Sequence, residues 1–160
     1  MNTVSVCFVC LGNICRSPTA EGVMRRLVAD AGLDGRIEID SAGTGDWHIG
    51  EAPDRRAQQA AGQRGYDLSV LRARQIGADD FRRFDFVVAM DDANVTALQQ
   101  VCPGAQRGKI RRLMEFAPQP ASRVVADPYF GGAAGFETVL DQCEAACAGL
   151  LDVLRARLAA

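Results

Sequence analysis

The chain has 160 residues, 48% of them hydrophobic and 24% charged, and its formal net charge is −2. That length suits one domain spanning residues 1–160 with a sizeable apolar core. The balanced charge excludes the basic footprint of a nucleic-acid binder. No apolar run approaches the about 18 residues that a membrane span needs, and no charged-then-apolar leader opens the chain. A cytoplasmic location, with no nucleic-acid and no membrane partner, is the expectation.

In chain order, Val4-Ser5-Val6-Cys7-Phe8-Val9 reads as a strand over 4–9. Ser17 is a good N-cap and Pro18 suits the first helical position. Ala20, Val23, Met24, Leu27, Val28 and Ala31 then follow helical spacing and predict a helix over 18–31, with Gly32 to cap its end. A second strand is expected over 36–40, and a helix over 54–64 starting at Asp54. A short helix over 78–83 precedes an apolar run from Phe84 to Met90, which reads as a buried strand. A helix over 92–102 stops before Pro103-Gly104, and a fourth strand covers 109–114. Residues 117–135, rich in Pro, Gly and Ala, predict a long loop of the kind that often carries function. The last helix is the clearest, with Phe136, Val139, Leu140, Cys143, Cys147, Leu150, Leu151, Leu154 and Leu158 on one stripe. Strands alternating with helices argue for a parallel sheet covered on its faces, with a site beyond the C-terminal strand ends.

One such strand end carries the chemistry. Cys10-Leu11-Gly12-Asn13-Ile14-Cys15-Arg16-Ser17-Pro18 lies between the first strand and the first helix. So short a turn points its backbone N–H groups inward, and the helix N-terminus adds partial positive charge. Cys10 would sit at the base of this anion nest with Arg16 on its rim. The helix dipole and the guanidinium both favour the thiolate form, and the guanidinium can hold two phosphate oxygens in a fork. Gly12 and Asn13 tolerate the positive φ a tight nest requires. Thiolate below, phosphorus in the middle and arginine at the side is the geometry of a cysteine-dependent phosphatase.

Of the six cysteines, Cys7, Cys143 and Cys147 read as small core hydrophobes and Cys102 as a structural or surface thiol. Cys7-x2-Cys10 has the spacing of half a zinc or redox motif, but it straddles a strand end and no second pair follows, so no metal site and no cofactor are expected.

Cys10-x5-Arg16-Ser17-Pro18, with Gly12-Asn13 inside it, resembles the signature of the low-molecular-weight protein tyrosine phosphatases. Asp127-Pro128-Tyr129-Phe130 resembles that family's Asp-Pro-aromatic loop. Asp40-Ser41-Ala42-Gly43, Asp54-x-Arg56-Ala57, Ala73-Arg74-Gln75, Val88-x-Met90-Asp91 and Phe136-Glu137-x-Val139 extend the resemblance over nearly the whole chain. It implies a three-layer, Rossmann-like α/β fold of the phosphotyrosine phosphatase I type. The central sheet is twisted, parallel and four-stranded, with the first strand in its interior and helices on both faces.

The resemblance implies hydrolysis of phosphotyrosine in proteins, with Cys10 as nucleophile, Arg16 as phosphoryl clamp and Asp127 as general acid, then base. The acid is a physical need: phenolate leaves poorly unless protonated, and a thiolate cannot supply the proton. Residues Leu11, Gly12, Asn13, Ile14, Cys15, Arg16 and Ser17 would bind phosphate and other oxyanions, Ser17 also donating to the sulfur. Ile14, Trp47, Tyr129 and Phe130 would wall a slot for the phenyl ring. Asp91 reads either as a holder of Arg16 or as the N-cap of the 92–102 helix, and His48 as a loop residue near the mouth without a metal role. Cys10 and Cys15 are expected to be the redox pair. Expected partners are tyrosine-phosphorylated proteins, a tyrosine kinase among them, met by a monomer or weak dimer.

Two rivals share part of the pattern. An arsenate reductase would need two further resolving cysteines close together in a flexible segment, whereas Cys102 stands alone in the matching region, and Asp127-Pro128 argues for ester hydrolysis. A non-catalytic phosphate-binding module has no use for both Cys10 and Asp127, and the glycine spacings of nucleotide-binding loops are missing.

Overall fold

The computed structural model describes residues 2–120 and 122–160. Met1, the first residue of the expected domain, and Ala121, inside the predicted 117–135 loop, lie outside the described residues. The elements run β1 (Val4–Cys10), α1 (Arg16–Asp30), β2 (Ile37–Gly43), α2 (Arg55–Gln63), α3 (Asp80–Arg83), β3 (Phe86–Ala89), α4 (Asp92–Val101), β4 (Ile110–Arg112) and α5 (Ala133–Ala159). The four strands form one parallel sheet in the order β2-β1-β3-β4, so β1 lies in the interior, as expected.

Because strand side chains alternate between faces, β1 serves two cores. Val4, Val6, Phe8 and Cys10 point into the larger one, with Val23 and Met24 of α1, Ala57 and Ala61 of α2, and Leu140, Cys143, Cys147 and Leu150 of α5. Cys7 and Val9 point to the other side, against Phe81, Phe84, Leu98 and Cys102. This double burial explains why the first strand reads as a nearly unbroken apolar run. Cys102 is a buried member of that second core rather than a surface thiol. Gly32 ends α1 in the left-handed region (φ 70°), with Gly32 N–H bonding Ala29 O and Leu33 N–H bonding Val28 O.

The structure moves several boundaries. The helix expected from Pro18 begins at Arg16, with Cys15 at the cap position and no side-chain cap; Ser17 sits inside the first turn because its hydroxyl serves the loop instead. Pro18 is tolerated there because first-turn N–H groups have no intrahelical partner. β2 continues to Gly43, three residues beyond its predicted end, pairing with β1 as far as Cys10. β4 is only three residues long, because the Glu115 carboxylate accepts from Arg112 N–H (2.9 Å) and draws the chain into the 3-10 turn Leu113–Phe116. β3 is shorter than the 84–90 run: Asp85 is occupied with Ser5, and Met90 N–H donates to Asn94 Oδ1. α5 starts three residues early, where no Ser, Thr, Asp or Asn marks the boundary. No helix among the described residues is long and apolar enough to cross a membrane.

Candidate active site

The C-terminal end of β1 opens onto a cleft. It is lined by Cys10, Leu11, Gly12, Ile14, Cys15, Arg16, Trp47, His48, Asp127, Tyr129 and Phe130. The side chains expected from three distant stretches of sequence are thus brought together. Cys10, the last residue of β1, is buried, and its Sγ lies 3.0 Å from Ser17 Oγ. Asn13 holds φ 58°, the conformation that turns the loop back over the strand end.

A polar chain behind the loop sets its hydrogen-bond directions. Arg74 N–H donates to Asn13 Oδ1 (3.0 Å), and since a backbone N–H can only donate, the amide orientation is set. The two Asn13 Nδ2 hydrogens then go to Ser17 Oγ (2.8 Å) and Ser41 Oγ (3.0 Å). Ser41 passes its own hydrogen to Glu21 Oε1 (2.6 Å), while Arg25 forks the other carboxylate oxygen at 2.9 and 2.7 Å. With its oxygen already accepting, Ser17 has its hydrogen free for Cys10 Sγ; the Ala42 carbonyl, at 3.4 Å, is the longer alternative. Glu21 and Asn13 are both only 3% exposed, and the bonds that join Asn13, Ser17, Ser41 and Glu21 are made away from water.

Arg16 is 2% exposed and points along the loop mouth. Its Nη1 donates to Asp91 Oδ2 (2.6 Å) and to the Val125 carbonyl (2.9 Å), and its Nη2 lies 3.7 Å from Asp127 Oδ2. Both readings of Asp91 hold at once, one oxygen each: Oδ2 takes Arg16, and Oδ1 takes Asn94 N–H as the cap of α4 (2.8 Å). Asp127 is half-exposed in the described part of the long loop, and Tyr129 N–H bonds its Oδ1 at 3.1 Å.

The three aromatics rim the cleft. Trp47 (67% exposed) lies across Gly45, where a Cβ would fall 1.9 Å from the indole ring; only glycine leaves room for it. Tyr129 and Phe130 meet edge to face at 4.9 Å, and Phe130 is 96% exposed. His48 packs over Gly12 and pairs with Glu51 at 3.2 Å. Cys15 is buried in the loop wall; burial first, then the Asp54 carboxylate and Cys10, push its thiol up to about 12. All six cysteines are free.

Sequence reading gave no role to Glu21, Arg74 or the Val125 carbonyl. Glu21 and Arg25 stand four apart on a helix, a spacing that reads as an ordinary surface ion pair. A backbone carbonyl leaves no trace in residue type at all.

Cys10, Arg16 and Asp127 thus line one cleft beyond the end of β1. The family model for low molecular weight phosphotyrosine protein phosphatase matches residues 5–160. A low molecular weight protein-tyrosine-phosphatase of Streptomyces coelicolor is 47% identical over 156 residues, covering 96% of this chain and 94% of the relative. Among solved structures, a protein tyrosine phosphatase of Entamoeba histolytica with Hepes in its active site superimposes with TM-score 0.93 at 38% identity, covering 96% of this chain and 98% of the other. YfkJ of Bacillus subtilis superimposes with TM-score 0.92 at 37% identity, covering 98% of both chains. The chain belongs to the low molecular weight phosphotyrosine protein phosphatase family, and so to the phosphoric monoester hydrolases.

Proposed function

We propose that this chain hydrolyses phosphotyrosine in proteins through a phosphocysteine on Cys10. The thiolate attacks phosphorus as the bond to the tyrosyl oxygen breaks, and Asp127 gives that oxygen its proton, releasing tyrosine. Asp127, now a carboxylate, takes a proton from water whose oxygen attacks the phosphocysteine. Phosphate departs, and sulfur leaves as thiolate with the Ser17 hydrogen pointed at it. Arg16 and the backbone N–H groups of the 10–16 loop stabilise the equatorial oxygens, where charge spreads in both steps. The observation that carries this reading is the meeting of Cys10, Arg16 and Asp127 in one cleft, with Asp127 Oδ2 3.7 Å from the guanidinium.

The rim supports an aryl substrate. Phosphate at the floor leaves the ester group pointing outward past Ile14, between Trp47 and the Tyr129–Phe130 pair. A phenyl ring spans that depth; the short stem of phosphoserine does not. Cys10→Ser keeps the shape of the nest without a competent nucleophile. It should abolish turnover of a phosphotyrosyl peptide while inorganic phosphate still binds; turnover near wild type would reject the mechanism.

A further inference from the structure

We infer that Arg56, which does not line the cleft, is a positioning residue for the general acid, tying the phosphate loop to the loop that carries Asp127. The proposal rests on the reading of Asp127 given above.

The connection is continuous. Asp54 N–H donates to the Ile14 carbonyl (2.8 Å), which places Asp54 against the phosphate loop. The Arg56 guanidinium grips the Asp54 carboxylate with Nε at 3.1 Å and Nη2 at 3.0 Å. The same Nη2 donates to the Tyr129 carbonyl (2.9 Å). Tyr129 N–H in turn holds Asp127 Oδ1 (3.1 Å), leaving Oδ2 on the side of Arg16. The guanidinium also stacks with the rings of Tyr129 and Phe136, at 5.4 and 4.8 Å to their centroids.

The acid is therefore held from both sides at equal distance along the chain. Two residues before it, Val125 N–H bonds the Met90 carbonyl, and Val125 O accepts from Arg16. Two residues after it, Tyr129 O accepts from Arg56. The first clamp is buried; the second is the exposed guanidinium. An exposed ion pair contributes little to stability. A planar fork spanning a carboxylate and a carbonyl contributes geometry, and lysine cannot reproduce it. Arg56 holds the Asp54 carboxyl below its usual range by direct hydrogen bonding, so the grip persists until pH falls through that lowered value.

The test compares wild type, Arg56→Gln, Asp127→Asn and the double variant on a phosphotyrosyl peptide and an activated nitrophenyl phosphate. A misplaced acid costs only where the leaving group needs a proton, so Arg56→Gln should lower kcat/KM for the peptide about tenfold. On the activated ester, and when added to Asp127→Asn, the same change should cost no more than about twofold, since Arg56 acts through Asp127. Inhibition by inorganic phosphate should not move. Arg56→Lys keeps the charge, so it covers a Gln variant that fails to fold, and it should show the same substrate-dependent loss. Equal losses on both substrates, a further loss beyond Asp127→Asn, weakened phosphate inhibition, or no loss at all would overturn the proposal. If Asp127→Asn itself shows no leaving-group dependence, the acid assignment falls and this inference with it. If Asp127→Asn shows it and the Arg56 variants do not, only the inference falls.

Discussion

The two loops that meet at the cleft are built on opposite plans. The phosphate loop is braced from behind by a hydrogen-bonded chain that runs from the Arg74 backbone N–H to the side chains of Asn13, Ser17, Ser41 and Glu21, which do not line the cleft. The acid loop is held at its backbone instead: Asp127 is half-exposed, and the carbonyls of Val124, Val125 and Tyr129 accept from Gln142, Arg16 and Arg56. Substrate phosphate must meet preorganised donors, so rigidity there lowers the barrier directly. The acid must reach a leaving group whose position depends on the rest of the substrate, and a tethered loop accommodates that. Damage to the first loop should harm binding and chemistry together, and damage to the second only chemistry.

Asp127→Asn is the sharpest way to separate the two. It should lower kcat/KM for a phosphotyrosyl peptide by about 10²–10⁴-fold, and much less for an activated nitrophenolate. Inhibition by phosphate should stay as in wild type. Equal losses on both substrates would reject Asp127 as the acid.

Asn13→Ala attacks the braced loop. It removes three hydrogen bonds, two of them buried, and puts alanine at φ 58°. The expected losses are about 100-fold in kcat/KM and about 2–4 kcal/mol of stability. Both substrates should suffer alike and phosphate should bind more weakly. A variant that lost only the phosphotyrosyl reaction would erase the distinction between the loops.

Oxidation tests how tightly the braced loop shields its second thiol. For a Cys10–Cys15 redox pair, peroxide should take the Cys10 sulfur to sulfenic acid, and Cys15 should then displace the hydroxyl, which leaves as water, to form a disulfide. With the Cys15 thiol pushed up to about 12, mainly by burial, its thiolate is scarce at neutral pH. Disulfide closure after a peroxide pulse should therefore quicken about tenfold per pH unit from about pH 7 to 9, read by acid quench and mass analysis. A flat profile would mean that the loop opens before it closes the bond.

The smallest effect is expected at the rim. Trp47→Ala should lower kcat/KM for aryl phosphates by roughly two- to tenfold, the span of one favourable aromatic contact, and leave small alkyl phosphates unchanged. Unchanged selectivity would show that the indole is not a wall of the slot.

The parallel pairing of the strands was legible because strand-like runs alternate with helix signals; the interior place of the first strand came from the resemblance. Cys10 and Arg16 were legible because one short turn contains both. The approach of Asp127 to Arg16 was not readable from spacing, since more than a hundred residues separate them; the resemblance supplied it. Ser17 shows how a correct residue preference misleads: serine is a good cap, yet the Cys10 sulfur 3.0 Å away takes up its hydroxyl, and the helix begins two residues earlier without it. Asp91 was readable as one role or the other, whereas a carboxylate has two oxygens and fills both. Glu21 and Arg56 passed unassigned because each acts through neighbours, and residue type does not record a partner's partner.

The chain of bonds ending at Glu21 has a consequence for disorder. Two hydroxyl rotors and one amide could adopt several hydrogen arrangements of similar energy, among which an ordinary polar cluster fluctuates. Here one end is a backbone N–H that can only donate, and the other is a carboxylate that accepts. Between such ends the Asn13 amide and the Ser41 hydroxyl each have one direction left to them, and only the Ser17 hydrogen keeps a choice, between sulfur at 3.0 Å and the Ala42 carbonyl at 3.4 Å. The loop thus settles all but one of its hydrogens before any substrate arrives, and the one left free is the one beside the sulfur.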